Sequence, residues 1–268
     1  MNKQPIGVFD SGLGGLSAVR EIRRILPTED IVYFGDTARI PYGTRSAQTV
    51  KRYAVSDVRF LCTKCPKAIV IACGTVSANA LEECRAAFPG PVIGVIDPAC
   101  RAAAEATKTG KIGVIATSST VGSGAYERAL HALDASFAVT AQACPLFVPL
   151  VENGFTSPDD PVPVEVARRY LEPIRDAGCD VLILGCTHYP LLRDVIRKVL
   201  PGVVLIDTGA EVARELASEI GAHSLANTDG GSVSFYVSDD ADGFARSAET
   251  FLGGFAEDPV ECVDVTAY

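Results

Sequence analysis

Short apolar runs alternate with longer amphipathic segments through most of this chain. Apolar, β-branched runs of four to eight residues predict buried strands, whereas apolar positions that recur every three to four residues predict helices. We predict strands near residues 5–9, 30–34, 67–72, 92–96, 111–115, 137–142, 180–184 and 202–206. We predict helices near residues 14–26, 46–64, 76–87, 98–107, 119–133, 163–176, 190–199 and 209–220. This alternation is typical of an α/β fold, in which helices cover both faces of a parallel sheet.

A weak internal repeat predicts two related halves. Ile6–Ser11 resembles Ile112–Thr117, and each copy is followed by a strand that leads to a cysteine and then a threonine. The interval is 63 residues from Asp10 to Cys73 and 70 residues in the second copy, which ends at Cys186. Ligands of open α/β sheets bind beyond the carboxyl ends of strands, where these cysteines fall. We therefore predict two pseudo-symmetric parallel-sheet α/β domains with the active site in the cleft between them.

The last sixty residues have a different pattern. They contain the apolar run Val233–Val237, the amphipathic stretch Asp242–Leu252 and a final run Val260–Val265. We expect them to complete the first half rather than to form a third domain. The predicted domains are residues 1–96 plus 208–268 and residues 97–207. The segment 153–163, which is rich in Pro, Asp and Ser, is predicted to be a surface loop.

Composition narrows the class of protein. The chain has 268 residues, of which 48% are hydrophobic and 21% charged, as in a soluble globular protein with a sizeable core. The formal net charge of −9 argues against a nucleic-acid partner or an anionic membrane surface. An anionic small molecule remains compatible, because backbone amides at helix starts can hold it. No apolar run approaches the roughly 20 residues of a membrane span, and residues 1–5 lack a signal region, so we expect a cytoplasmic protein.

The nine cysteines are odd in number and lack the dense spacing of a secreted disulfide scaffold. We predict free thiols in a reducing compartment. Cys62 and Cys65 have the spacing of a redox pair or half a zinc site, but no second pair and no nearby histidine completes a metal shell. We interpret both as helix-packing cysteines and expect no bound metal.

The segment Asp10–Gly15 follows a strand and starts a helix, as a nucleotide-binding turn does. It fits neither the Gly-x-Gly-x-x-Gly fingerprint nor a Walker loop, and no ribose-binding acid is suitably placed. Its glycines allow a tight turn and a close approach of the backbone to a ligand. We therefore expect a ligand-binding turn without a nucleotide cofactor.

Two cysteines are the best candidates for chemistry. Cys73 and Cys186 each follow a strand and precede a helix, where unpaired amides and the helix dipole lower a thiol pKa from about 8.5. Either thiol alone could be a buried core residue. Two thiols that face one site from opposite sides suit the movement of a proton across a stereocentre. His188 is placed to relay protons to Cys186, and Asp10 could serve Cys73 in the same way.

Several longer motifs carry a resemblance to a known family. They are Asp10–Gly15, Tyr33–Gly43, Ala72–Thr75, Gly94–Pro98, Cys144–Glu152 and Gly185–Leu191. Together, in order from about residue 5 to 220, they resemble the bacterial glutamate racemases. The resemblance implies a two-domain aspartate/glutamate-racemase fold and interconversion of L- and D-glutamate without a cofactor. It also implies a supply of D-glutamate for peptidoglycan and a homodimer.

The resemblance also implies roles for individual residues. Cys73, aided by Asp10, would act on D-glutamate, and Cys186, aided by His188 and Glu152, would act on L-glutamate. The implied substrate-binding residues are Asp10, Ser11, Tyr42, Gly43, Gly74, Thr75, Thr187 and His188. Asp36 is expected near the site, and Thr117 and Thr120 are expected contributors.

One position departs from the family pattern. The family usually carries Asn between the first cysteine and its threonine, and the Asn side chain donates to the substrate, whereas this chain has Gly74. Glycine frees the backbone to move closer, and a water or a neighbouring side chain could take over the contact. We expect affinity, turnover or substrate preference to differ rather than the class of reaction.

Other functions on the same fold remain open. One alternative is a racemase of aspartate or a hydantoin. Aspartate stays an alternative substrate because Gly74 changes the pocket. A malonate decarboxylase is another, but it needs only one of the two cysteines, so Cys186 counts against it. A protein that binds a dicarboxylate without turning it over is the non-enzymatic alternative.

Overall fold

The computed structural model describes residues 2–253 and 259–268. The strands are β1 (Ile6–Asp10), β2 (Ile31–Gly35), β3 (Ala68–Ile71), β4 (Val92–Gly94), β5 (Lys111–Ala116), β6 (Ala138–Ala143), β7 (Val181–Leu184), β8 (Val204–Asp207), β9 (Val233–Val237) and β10 (Val260–Cys262). The helices are α1 (Leu16–Ile25), α2 (Ala47–Cys62), α3 (Gly74–Asn79), α4 (Leu81–Ala87), α5 (Ile96–Ala106), α6 (Ser118–Ser123), α7 (Ala125–Leu133), α8 (Phe147–Glu152), α9 (Pro161–Asp176), α10 (Arg193–Val199), α11 (Thr208–Ala222) and α12 (Ala241–Leu252).

The strands form two parallel sheets. The first has the order β10-β9-β2-β1-β3-β4 and the second has the order β6-β5-β7-β8. The segment β2-β1-β3-β4 of the first sheet therefore repeats the order of the whole second sheet. This match confirms the predicted α/β fold with two pseudo-symmetric parallel sheets.

The C-terminal strands join the first sheet, where β9 pairs with β2 and β10 pairs with β9. The domain boundaries at residues 96 and 207 stay a prediction. Residues 1 and 254–258 of the predicted first domain lie outside the described part of the chain.

The central strands are apolar because helices cover both of their faces. Every residue of β1, β2, β3 and β7 is buried. Burial of a side chain such as that of Ile69 or Leu182 contributes roughly 1.5–3 kcal/mol, which explains the near-continuous apolar runs. The edge strand β6 is only partly buried, and it accordingly carries Thr140 and Gln142.

The helices differ from the prediction at four places. The predicted helix 76–87 is two helices, α3 and α4, which meet at Ala80. The predicted helix 119–133 is interrupted by Gly124, which has a left-handed φ of 65°. The predicted helix 190–199 opens with a 3₁₀ turn, Tyr189–Leu192. The short helix α8 was not predicted, because its six residues include Pro149.

All nine cysteines are free thiols, as predicted. Cys62 is partly buried at the end of α2, but Cys65 is exposed with a φ of 51°. The interpretation as a helix-packing residue is therefore wrong for Cys65. Within the described residues, no helix has the length and apolar character needed to cross a membrane.

Candidate active site

The central strands of both sheets deliver the candidate side chains to one cleft. β1 ends at Asp10, and β3 leads directly to Cys73, the N-cap residue of α3. In the second half, β5 leads to Thr117, the N-cap residue of α6, and β7 leads to Cys186. The repeat seen in the sequence therefore places equivalent strand ends on opposite sides of the cleft.

A cavity of about 420 Å³ fills this cleft. The predicted site residues that line it are Asp10, Ser11, Tyr42, Gly43, Cys73, Gly74, Thr75, Thr117, Glu152, Cys186, Thr187 and His188. Thr120 lies behind Thr117, and their hydroxyls are hydrogen-bonded. Asp36 lies behind Tyr42 and accepts a hydrogen bond from the Tyr42 hydroxyl. The structure thus brings the predicted residues together, while their individual roles stay a prediction.

Part of the cavity wall was not predicted from composition or spacing. Leu13, Ile40, Pro41, Pro145, Val148 and Pro149 form an apolar side. All six fall within three of the motifs that carry the family resemblance, Asp10–Gly15, Tyr33–Gly43 and Cys144–Glu152, which were the available signal. An apolar wall excludes water and so strengthens electrostatic interactions inside the cavity.

Cys73 is buried beside Asp10. The thiol is 5% exposed, and its Sγ lies 3.6 Å from the Ser11 hydroxyl. Burial raises the Cys73 pKa to about 12, and the Asp10 carboxylate adds to this rise. The expectation of a lowered pKa is therefore wrong for Cys73, because lost hydration outweighs the favourable contact with the Val76 amide. Cys73 is a thiol at neutral pH.

The Asp10 carboxylate has a spare acceptor atom. Its Oδ2 accepts from the Gly12 amide at 3.1 Å, whereas its buried Oδ1 has no hydrogen-bond partner in residues 2–253 and 259–268. Burial raises the pKa of Asp10, against the opposing effect of His188 and nearby amides. A buried carboxylate oxygen without a partner is costly, so this atom is available for a ligand or for the Cys73 proton.

Cys186 has a different neighbour, the His188 imidazole. The His188 Nδ1 lies 4.0 Å from the Cys186 Sγ, and its Nε2 lies 3.0 Å from the Glu152 Oε1. Burial lowers the pKa of His188, but the hydrogen bonds to Cys186 and Glu152 outweigh it and raise the pKa to about 10. His188 is therefore an imidazolium at neutral pH, and it can stabilise a thiolate at Cys186.

Two further residues lie close to the His188 ring. A Cβ at Gly14 would lie 2.6 Å from Nδ1, so only glycine allows α1 to begin this close to the imidazole. On another side the buried Phe251 ring of α12 meets the imidazole nearly at right angles, with 5.3 Å between ring centroids. Phe251 was not identified from the sequence, whereas Gly14 belongs to the predicted ligand-binding turn Asp10–Gly15.

Direct contacts also join the two halves across the cleft. The Thr75 hydroxyl lies 3.0 Å from that of Thr117 and 3.4 Å from that of Thr120. A Cβ at Gly74 would lie 2.4 Å from the Gly185 carbonyl oxygen. Gly74 therefore lets the two cysteine-bearing turns meet backbone to backbone, which gives a structural reason for glycine at this position.

The cavity can hold an anion without a lysine or arginine side chain. In the described part of the chain, no lysine or arginine lines it, whereas several hydroxyl side chains do, among them Ser11, Thr75, Thr117 and Thr187. These hydroxyls, with backbone amides at helix starts, are suitable donors for carboxylates. The same part of the chain contains no group of three or more His, Cys, Asp or Glu side chains placed to bind a metal.

Comparisons with known proteins agree with this geometry. Residues 6–216 match the family model described as Asp/Glu/Hydantoin racemase. The glutamate racemase of Geobacter metallireducens is 46% identical over 252 residues, which cover 93% of each chain. That of Thermus thermophilus is 48% identical over 250 residues, with 92% of each chain covered. The crystal structure of glutamate racemase from Francisella tularensis in complex with D-glutamate has a TM-score of 0.94, 39% identity and complete coverage of both chains. The chain therefore belongs to the Asp/Glu/Hydantoin racemase family and is an enzyme of the amino-acid racemase class.

Proposed function

We propose that this enzyme interconverts L- and D-glutamate without a cofactor, with Cys73 and Cys186 as its two acid/base residues. The observation that carries the proposal is the pair of thiols lining one cavity in unequal surroundings. Cys73 is a thiol with a pKa raised to about 12 by burial, whereas Cys186 lies beside the imidazolium of His188. The two thiols can therefore act on a ligand in this cavity from two sides, one as the base and the other as the acid.

The proton balance of the reaction follows from this arrangement. In the L-to-D direction, the Cys186 thiolate removes the α-proton, and the Cys73 thiol delivers its proton to the opposite face. The two sulfurs have then exchanged protonation states, so the enzyme is ready for the reverse direction. His188 supports Cys186, Glu152 orients His188, and Asp10 supports Cys73.

The carbanion formed between these steps needs strong stabilisation. Ser11, Thr75, Thr117 and Thr187 surround the cavity with hydroxyl donors, and the first amides of α3 lack intrahelical partners. Such donors, aimed at a carboxylate in a dry cavity, stabilise developing charge without reorganisation of solvent.

We assign glutamate as the substrate because the relatives that match most of the chain are named glutamate racemases, and one was crystallised with D-glutamate. The family resemblance supports a role in supplying D-glutamate for peptidoglycan and a homodimeric assembly. Nine free thiols support a reducing compartment, the cytoplasm.

Circular dichroism of L-glutamate incubated with the purified enzyme tests this function. We expect the signal to decay to zero without added pyridoxal phosphate, and deuterium from ²H₂O to enter the α-position. L-Aspartate, measured in parallel, should react more slowly by about 10–200-fold, the usual effect of one methylene on specificity. Faster loss of the aspartate signal would reassign the substrate. Binding of glutamate without α-proton exchange, or a requirement for pyridoxal phosphate, would contradict the proposed reaction.

A further inference from the structure

A buried polar cluster lies behind the cavity wall. It consists of Asp36, Arg39, Tyr42 and Asp57, and we refer to it as the Tyr42 anchor. The carboxylates of Asp36 and Asp57 are 0% exposed, and the Arg39 side chain is 17% exposed. Tyr42 lines the cavity, whereas Arg39 and Asp57 do not and have no part in the proposed proton transfers.

Short hydrogen bonds connect the four side chains. Arg39 Nε donates to Asp36 Oδ2 at 2.5 Å, and Arg39 Nη2 donates to Asp57 Oδ1 at 2.5 Å. The Tyr42 hydroxyl donates to Asp36 Oδ2 and also lies 3.1 Å from Asp57 Oδ2. Ser238, which follows β9, donates to Asp36 Oδ1 at 2.8 Å.

If both carboxyl groups are ionised, the cluster has too few donor hydrogens to make a hydrogen bond of each close contact between the Tyr42 hydroxyl and a carboxyl oxygen. Tyr42 has one hydroxyl hydrogen but lies within hydrogen-bond distance of two carboxyl oxygens. The single guanidinium of Arg39 faces both buried carboxyl groups. All partners are satisfied when Asp57 Oδ2 carries a proton and donates it to the Tyr42 oxygen, while Tyr42 donates to Asp36. Burial, followed by the Asp36 charge, raises the pKa of Asp57 well above its usual range. The nearby Cys84 of α4 adds no charge, since burial raises its pKa to about 12.

We infer that Asp57 is a positioning residue, which as a neutral carboxylic acid holds the Tyr42 hydroxyl and so fixes the substrate-lining turn of residues 42–44. This turn packs directly on the second half of the enzyme, because a Cβ at Gly43 would lie 2.9 Å from the Thr117 side chain. A loosened Tyr42 therefore displaces Gly43 and the Thr117 hydroxyl together. The kinetic consequence rests on the proposed glutamate racemisation.

Asp57→Asn and Asp57→Ala test this inference. The amide of Asn can donate to Tyr42 and accept from Arg39, as the neutral acid does, whereas Ala can do neither. We expect Asp57→Asn to keep KM for glutamate within about twofold of the unaltered enzyme. Asp57→Ala should raise KM about tenfold, with a smaller change in kcat.

Glu29→Gln is the matched control. Glu29 is also a fully buried carboxylate, but it pairs with Lys67 at the amino ends of the strands, far from the cavity. Its loss should lower the melting temperature and leave KM unchanged. Equal effects of Asp57→Asn and Asp57→Ala on KM would overturn the neutral-acid assignment. A lower melting temperature of Asp57→Ala with an unchanged KM would overturn the positioning role.

Hydrogen–deuterium exchange of residues 40–46 without substrate gives a second readout. Exchange should accelerate in Asp57→Ala but not in Asp57→Asn or Glu29→Gln. If Asp57→Ala fails to fold, Tyr42→Phe takes its place, because it removes the hydrogen bonds of the Tyr42 hydroxyl to Asp57 and Asp36 and keeps the ring. Unaltered exchange in whichever of these two folds overturns the inference. This readout is independent of turnover, so failure of the proposed function and failure of the anchor are distinguishable.

Discussion

At the residue scale, the two candidate sulfurs differ in what surrounds them. Cys73 is buried beside a carboxylate with an oxygen to spare, and Cys186 is next to a histidine held by Glu152. A racemase in an achiral solvent has an equilibrium constant of one, so kcat/KM must be equal in the two directions whatever the surroundings of each sulfur. The asymmetry can show only in the individual steps.

Cys73→Ser and Cys186→Ser should each reduce turnover by about 10²–10⁴-fold, since a hydroxyl is a far weaker acid than a thiol. Abstraction of the α-proton then limits the rate for the enantiomer on which the replaced cysteine acts as the base. With α-deuterated substrates, Cys73→Ser should show the larger isotope effect on kcat/KM with D-glutamate, and Cys186→Ser with L-glutamate. A larger isotope effect with the same enantiomer in both variants would contradict the two-base mechanism.

His188 should also make stability depend on pH. Its pKa is about 10 in the folded enzyme, above the ordinary value of 6.5, so the folded state binds the proton more tightly. The resulting stabilisation is complete below pH 6.5, declines as the pH rises from 6.5 to 10, and is lost above 10. The melting temperature should therefore fall more steeply over this interval in the unaltered enzyme than in His188→Asn. His223 is exposed, and the melting temperature of His223→Asn should depend on pH as that of the unaltered enzyme does. The same pH dependence in all three proteins would contradict the assignment of a proton to His188.

The residues found from the sequence are those with a local signature. Cys73 and Cys186 stand out because each follows a strand, and His188 because it follows a cysteine. Asp57 has no such signature, since within α2 it occupies an ordinary polar position. Its partners Arg39 and Tyr42 come from a separate turn, and only the folded chain brings them together.

At the element scale, α12 connects the C-terminal segment to the candidate active site. It packs Phe251 against His188, and the Arg20 guanidinium of α1 donates to the Phe251 carbonyl. The strands were predictable because buried parallel strands are nearly continuous apolar runs. The helix breaks at Ala80 and Gly124 were not predictable in the same way, because the backbone conformation of a single residue produces each break.

Phe251→Leu should disturb His188 more than it disturbs the fold. Leucine preserves most of the buried volume but removes the ring contact, so we expect a stability loss of about 1 kcal/mol and a reduced kcat. The isotope effect with α-deuterated L-glutamate should rise. Phe244→Leu is the control, because Phe244 is equally buried on the same helix but packs on Tyr33 and Phe235. Equal changes of kcat and of the isotope effect in both variants would show that Phe251 contributes only to packing and does not position His188.

At the scale of the whole molecule, the cleft depends on how closely the halves approach. The two-sheet architecture was predictable from the repeated strand–cysteine pattern. The distance between the halves was not, because it is set by contacts such as that of Gly74 with Gly185, which are remote in sequence.

Gly74→Ala tests the importance of this approach. The added Cβ would meet the Gly185 carbonyl at 2.4 Å, so the backbone must shift and the two cysteines must move apart. A displacement of about 1 Å can reduce turnover by about 10²-fold, and the strain should cost about 1–3 kcal/mol of stability. Gly122→Ala is the control, because nothing lies within 4 Å of its added Cβ. Unchanged kcat in Gly74→Ala would show that the spacing of the halves is not critical.

The shared strand order of the two sheets has an evolutionary consequence. Duplication and fusion of a half-length gene would produce such a repeat, and β9 and β10 extend the first sheet beyond it at one edge. Two identical copies of that ancestor, paired about a two-fold axis, would have offered the same thiol from both sides of a shared ligand. Under the proposed two-thiol reaction, the need to treat both mirror-image ligands alike would preserve both sulfurs while the residues around Cys73 and Cys186 diverged.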